Sequence, residues 1–152
     1  MAAQQRELLL QVIPQNYFNN NLLESAVVPQ DKNLVGIQKI YFAKKDGNVS
    51  AYAYETTAPD GYSGDIRLLV GLDPKGEVLD VRVIEHHETP GLGDKIELRI
   101  SNWILNFTHQ SINEHNLSEW AVKKDGGKFD QFSGATITPR AVVNQTKRSA
   151  LI

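Results

Sequence analysis

The sequence predicts an α+β fold in which antiparallel β-hairpins build a sheet and helices lie apart from it. Three observations carry this. Strand-like runs between residues 37 and 86 are joined by hairpin turns, helical apolar periodicity flanks them on both sides, and 152 residues (17.0 kDa) at 41% hydrophobic content suit one domain with its own core. The expected domain is the whole of residues 1–152, with no internal repeat, low-complexity tract or linker.

Residues 4–13 and 16–28 read as two short helical pieces divided by Pro14, the first with an apolar stripe of Leu8, Leu9, Val12 and Ile13. "IQKIYFAKK" and "VSAYAYET" follow as strands, and the Asp46-Gly47 pair between them favours a tight hairpin. "DIRLLVGL" and "EVLDVRVIEH" form a second hairpin through Asp73-Pro74-Lys75-Gly76, a type I turn sequence. Strict alternation in the last strand puts Val78, Asp80, Arg82 and Ile84 on one face and Leu79, Val81, Val83 and Glu85 on the other, so one face is expected to be the more buried. From Asp94 the period changes. Ile96, Ile100, Trp103, Ile104 and Phe107 recur at helical spacing, and Asp94 with Glu97 reads as a capping box, so a helix of three to four turns is expected. "EWAVKKDGGKFDQF" reads as two short strands about a glycine turn, and Pro139 to Ile152 as a closing helix with Val142, Val143, Thr146 and Ala150 on one face.

Charge and composition exclude several functions. Sixteen basic and 18 acidic residues, well mixed along the chain, leave a net charge of −2 and no basic stripe for nucleic acid. The absence of cysteine removes disulfides, thiolate metal sites and thiol catalysis. No apolar run approaches the roughly 18 residues of a membrane span, so the chain as written is expected to be soluble.

The informative stretch is "DQFSGATITPR", residues 130–140. Ser133-Gly134-Ala135-Thr136-Ile137-Thr138 runs directly into Pro139. Thr138 suits an N-cap and Pro139 a first helical position, which is enough to account for the pattern as a helix start. The same geometry suits an anion. A helix N-terminus offers unpaired N–H groups and a partial positive charge, Arg140 adds a cation, and the Thr138 hydroxyl lies where it can sit beside a phosphate or carry one as an ester.

Asp130 to Thr138 resembles the flavinylation motif of the FMN-binding domain family: Asp, two residues, Ser/Thr-Gly-Ala-Thr, one residue, Thr/Ser. Members of that family include G subunits of Rnf-type electron-transport complexes and the C subunit of the sodium-pumping NADH:quinone reductase. The resemblance extends from about residue 14 to the C-terminus and is closer to the former, above all in "GYSGDIRLLVGLDPKGEVLDVRVIEHHETPGLGDKIE". It implies FMN joined by a phosphoester to Thr138, with Ser133, Gly134, Ala135, Thr136 and Arg140 around it. "ETPGLGDKI", residues 88–96, is by its own chemistry a proline-glycine turn. In the family this loop lies against the isoalloxazine, which assigns Glu88, Thr89, Gly91, Leu92 and Gly93 to the pocket, supported by Tyr62 and Ser63 of "APDGYSGDI".

Further expectations follow from the resemblance. The partners are other subunits of a membrane electron-transport complex and a flavin transferase that moves the FMN moiety of FAD with magnesium; Asp130, Gly134 and Ala135 are assigned to recognition by that enzyme, or to the turn, rather than to electron transfer. The family's G subunits begin with a membrane-spanning helix and expose this domain on the extracytoplasmic, periplasmic side, so the present chain would be a shortened, soluble form. It is expected to be a redox subunit of an ion-translocating oxidoreductase with no turnover alone and no catalytic residue of its own. The alternatives are an extracytoplasmic binding module without covalent flavin, whose hydroxyl run is only a helix cap, and the C subunit of a sodium-pumping reductase. A metal site is not expected: His86 and His87 would point to opposite faces of a strand, leaving only His86 and Glu88 on one side. Ser133 lacks the glycine-x-serine-x-glycine elbow of a hydrolase nucleophile.

Overall fold

The computed structural model describes residues 2–29, 37–113 and 115–150. Its centre is a four-stranded antiparallel meander, β1 (Ile37–Lys45), β2 (Asn48–Gly61), β3 (Gly64–Leu72) and β4 (Val78–Glu85), paired in sequence order. Helix α1 (Ala2–Val12) lies on one face and helix α2 (Ile137–Ala150) on the other. This is the α+β architecture that the hairpins and flanking periodicity predict. Among the described residues no helix is long and apolar enough to cross a membrane.

The strand alternation sorts two cores. Leu68 and Val70 of β3 join Tyr54, Ala58, Ile66 and α2's Ala141, Val142 and Val143 on one side, while Leu69 joins Ala51, Ala53, Tyr41, α1's Leu9 and Val12, and Ile13 just after it on the other. The expectation that one face of β4 is the more buried therefore fails, because Val78 and Val81 lie in one core and Leu79 in the other, with Arg82 also buried. Its strict alternation fails as well. Gly71 pairs with Asp80 and Leu72 with Val78, so Leu79 is an extra residue in a bulge, and Val78 and Val81 face the same core.

Three expected helical features differ. Residues 16–28 hold only single 3-10 turns at Gln15–Tyr17 and Leu23–Ser25, after which Val27 bridges Ile40 at the edge of β1. The stretch after Asp94 is not one helix but two 3-10 pieces, Gly93–Ile96 and Asn102–Phe107, separated by extended backbone at Glu97 and Ser101. Ser101 breaks the ladder because its side chain accepts from the Trp103 N–H and caps the second piece, and the capping box does not form. Ile96, Trp103, Ile104 and Phe107 are buried as the periodicity predicts, whereas Ile100 is exposed. Finally, α2 begins at Ile137, and Arg140 donates its backbone N–H to the Thr136 carbonyl. Thr138 is thus inside the first turn rather than its N-cap, and Pro139 occupies a first-turn position whose N–H would be unpaired in any helix. The predicted end of this helix, residues 151–152, lies outside the described residues.

Residues 86–136 carry little regular structure and close over the α2 side of the sheet. Between Trp120 and Phe132 the two expected strands reduce to a bridge of Val122 with Phe129 around a 3-10 turn. An aromatic cluster fills the space beneath, with Phe107 stacked on Phe129 at 4.7 Å and Trp103 edge-on to Phe107 at 5.4 Å and to Phe132 at 5.3 Å. That cluster is the floor on which the candidate site rests.

Candidate functional site

Two turns of the same design face each other at the start of α2. In Thr89-Pro90-Gly91-Leu92 the Leu92 N–H donates to the Thr89 carbonyl at 3.0 Å, with Gly91 at φ +81°. In Phe132-Ser133-Gly134-Ala135 the Ala135 N–H donates to the Phe132 carbonyl at 3.0 Å, with Gly134 at φ +78°. A positive φ at the third position is what a type II turn demands, and glycine adopts it without a Cβ penalty. The turns come close: a Cβ built on Gly134 would lie 3.9 Å from Leu92 Cδ2.

Between them opens a cleft of about 320 Å³, a volume at the lower end of the small-ligand range. Tyr62, Thr89, Leu92 and Gly93 line one side, and Gly134, Ala135, Thr136, Ile137 and Thr138 the other. Tyr62 comes from the tip of the β2–β3 hairpin, just after β2 ends at Gly61. Tyr62, Leu92 and Ile137 are exposed apolar side chains at 70%, 41% and 43%, so the mouth of the cleft is apolar and open. At its inner end Thr138 is only 1% exposed.

Thr138 is hydrogen-bonded to Glu88. The Thr138 hydroxyl donates to Glu88 Oε1 at 2.5 Å; the same oxygen accepts the Tyr62 N–H at 3.0 Å, and Oε2 accepts the Ser63 N–H at 2.8 Å. Glu88 is itself 5% exposed, and three donors compensate its carboxylate for that burial. One side chain thus ties the hairpin tip, the loop after β4 and the start of α2 together. Its backbone N–H donates to His86 Nδ1 at 3.0 Å, which leaves His86 Nε2 to donate to Glu97 Oε2 at 2.9 Å. Burial alone would raise the Glu97 carboxyl, but the hydrogen bonds from His86 and Arg99 prevail and hold it below its ordinary value. Gly93 completes the seat: its Cα lies so close that a Cβ there would meet Thr138 Oγ1 at 2.6 Å.

Of the sequence-predicted site residues, the structure brings Tyr62, Thr89, Leu92, Gly93, Gly134, Ala135, Thr136 and Thr138 into the cleft wall. Ser63 contributes its amide to Glu88, and Gly91 shapes the turn while donating its N–H to Asp94 Oδ1 at 3.0 Å. Ser133 is exposed and is not among the residues of the cleft wall. Arg140 points away from the cleft into a two-bond pair with Asp125, at 2.7 and 3.0 Å. Asp130 pairs with Lys123 at 2.7 Å and accepts the Trp103 indole N–H through its carbonyl. Sequence reasoning missed Ile137, the variable position of the hydroxyl run, and it did not join Glu88 to Thr138. Nothing local signals that contact, since the two residues are 50 positions apart. Among the described residues no group of three or more His, Asp or Glu side chains is placed to hold a metal.

The profile of the FMN-binding domain family matches residues 61–150. The chain is 95% identical over all 152 residues to the G subunit of the ion-translocating oxidoreductase complex of Haemophilus influenzae strain Rd, of which it covers 73%. It is 61% identical over 150 residues, 97% of this chain and 74% of the relative, to the protein of the same name in Pasteurella multocida. In three dimensions it resembles Shewanella oneidensis NqrC, with a TM-score of 0.57 at 23% identity, spanning 88% of this chain and 65% of that one. The last likeness is one of fold.

Proposed function

This chain belongs to the FMN-binding domain family, and from that premise we propose that it carries FMN covalently, through a phosphoester to Thr138, as an electron-transfer subunit of an Rnf-type ion-translocating complex. The observation that carries the proposal is the position of Thr138: a buried hydroxyl in the wall of a cleft between two glycine turns, in the first turn of a 14-residue helix. The residues present suit the group. A flat ring system fits the apolar mouth made by Tyr62, Leu92 and Ile137, and a phosphate fits the end where the first turn of α2 leaves backbone N–H groups outside the helix ladder.

The flavin, when bound, supplies one- and two-electron redox chemistry; the chain supplies position, electrostatics and exclusion of side reactions. Thr138 fixes the phosphate end so that the cofactor is not lost between cycles. Gly91 and Gly134, both at positive φ, shape the two turns that would frame the flavin. The open mouth admits a partner's redox centre, as electron transfer between subunits needs. In this reading the partners are the other subunits of the complex and a flavin transferase that uses FAD with magnesium, and the full-length protein holds this domain on the extracytoplasmic face of the membrane.

The test is intact mass after co-expression with a flavin transferase. A gain equal to FMN less one water, localised to the peptide containing Thr138, is expected; Thr138→Ser retains attachment and Thr138→Ala abolishes it. An unmodified wild type beside an active transferase, or a Thr138→Ala protein that still gains the mass, overturns the reading. The first outcome would leave a binding module with a well-built helix start.

A further inference from the structure

We infer that Glu88 is the proton acceptor for Thr138 when the flavin is attached, so that the nucleophile of the modification is activated by this chain's own side chain. The inference rests on the proposed attachment at Thr138 and assigns a role that the motif around Thr138 does not contain.

A threonine hydroxyl at neutral pH is a weak nucleophile and needs a base within hydrogen-bond reach. Glu88 Oε1 meets that condition at 2.5 Å, and the direction of the bond is settled by the partners. Tyr62 and Ser63 offer Glu88 only backbone N–H donors, so its oxygens act as acceptors and the Thr138 hydroxyl must donate. The oxygen of Thr138 therefore keeps its lone pairs for the cleft while its proton points away from it. Glu88 is also held in place. Its two oxygens are anchored to the hairpin tip, and its amide is fixed by His86, which Glu97 orients in turn. A base pinned at three points, with its one hydroxyl donor aimed from the inner end of the cleft, is preorganised for proton transfer.

The step balances with a flavin dinucleotide as co-reactant, delivered through the cleft by the transferase. Thr138 Oγ1 forms a bond to the phosphorus on the flavin side of the pyrophosphate. The anhydride P–O bond breaks, and its electron pair leaves on the phosphate of adenosine monophosphate. The Thr138 proton moves to Glu88 Oε1 and from there to solvent. Glu88 is neutral when the new phosphodiester arises beside it, so no carboxylate opposes the anion at the moment of bond formation.

The experiment measures attachment rate by intact mass as the concentration of this domain is varied against a fixed transferase, for wild type and Glu88→Gln. Glutamine keeps the size and one acceptor but is a far weaker base. The expected result is a fall in kcat of about 100-fold or more, the contribution of a general base, with KM for the domain within about twofold. Glu88→Asp, which retains the carboxylate, recovers part of the rate and keeps the inference testable should Glu88→Gln fold poorly; circular dichroism melting decides that. A folded Glu88→Gln protein modified at the wild-type rate overturns the inference, and so does a loss confined to KM, which would make Glu88 a recognition residue. A folded Glu88→Asp no faster than a folded Glu88→Gln would overturn it as well. A wild type that takes no flavin beside a transferase shown to be active on another target would instead refute attachment itself.

Discussion

Replacing Gly93 by alanine probes the seat of Thr138 most directly. The added Cβ would lie 2.6 Å from Thr138 Oγ1, 2.8 Å from Glu88 Cβ and 3.3 Å from Glu88 Cγ. Neither neighbour can swing aside cheaply, since Thr138 is held by Glu88 and Glu88 by two backbone amides. Overpacking of this kind costs about 1–3 kcal/mol. At roughly 2–4 °C per kcal/mol for a domain of this size, the melting temperature should drop by about 2–12 °C. Gly47→Ala is the comparison. It sits in the β1–β2 turn at φ +85° with nothing within 4 Å, so it incurs only the left-handed backbone cost of about 1–2 kcal/mol and crowds nothing. The assay is thermal unfolding of both single variants, with Gly93→Ala repeated in a Thr138→Ala background, which removes the nearest clashing atom. Coupling of at least about 0.5 kcal/mol between positions 93 and 138 is expected, as for residues in contact. An unchanged melting temperature for Gly93→Ala, together with strict additivity, would refute the close approach of the glycine loop to Thr138.

Two further outcomes follow from the cores. Phe107 is fully buried, stacked on Phe129 and in contact with Trp103 and Trp120, so Phe107→Ala should cost about 3–5 kcal/mol, read as a shift in the denaturant midpoint at constant slope; a loss below about 1 kcal/mol would show that the aromatic floor does not support residues 86–136. Burial raises the Tyr54 phenol above its ordinary value of 10.0, against the opposing hydrogen bond with Ser149 at 2.7 Å. Its folded pKa exceeds its unfolded one, so its contribution to stability is intact below pH 10 and is lost as pH rises beyond it. Unfolding free energies measured from pH 8 to 11.5 should fall more steeply for wild type than for Tyr54→Phe, by up to about 1.4 kcal/mol per pH unit, and parallel curves would contradict the burial of that hydroxyl.

Most of the sheet was readable in the sequence because a hairpin is written locally. Asp46-Gly47 and Asp73 to Gly76 set turn geometry within four residues, and the flanking alternation sets which side chains face inward. The proline-glycine turn at Thr89–Leu92 was readable for the same reason, whereas the residues assigned to the pocket came from the family resemblance. Periodicity misled where burial and helicity part company. Ile96, Trp103, Ile104 and Phe107 are spaced for a helix and are buried, yet Ser101 interrupts the backbone ladder and two 3-10 pieces bury them equally well. The β4 bulge at Leu79 and the burial of both sheet faces also had no local sign, since they depend on how β3 pairs and on α1 folding back across the sheet.

The chemistry divides along the same line. The sequence by itself determined which hydroxyl stands at the start of the last helix and that Gly134 precedes it by four residues, because both are properties of consecutive residues. Only the tertiary structure decided that Glu88, 50 residues away, accepts the Thr138 hydroxyl's hydrogen bond, that Arg140 is paired with Asp125, and that Gly93 presses against Thr138. Those contacts join separate elements, and their geometry exists only once the two cores have packed and brought the hairpin tip, the loop after β4 and the start of α2 to one place.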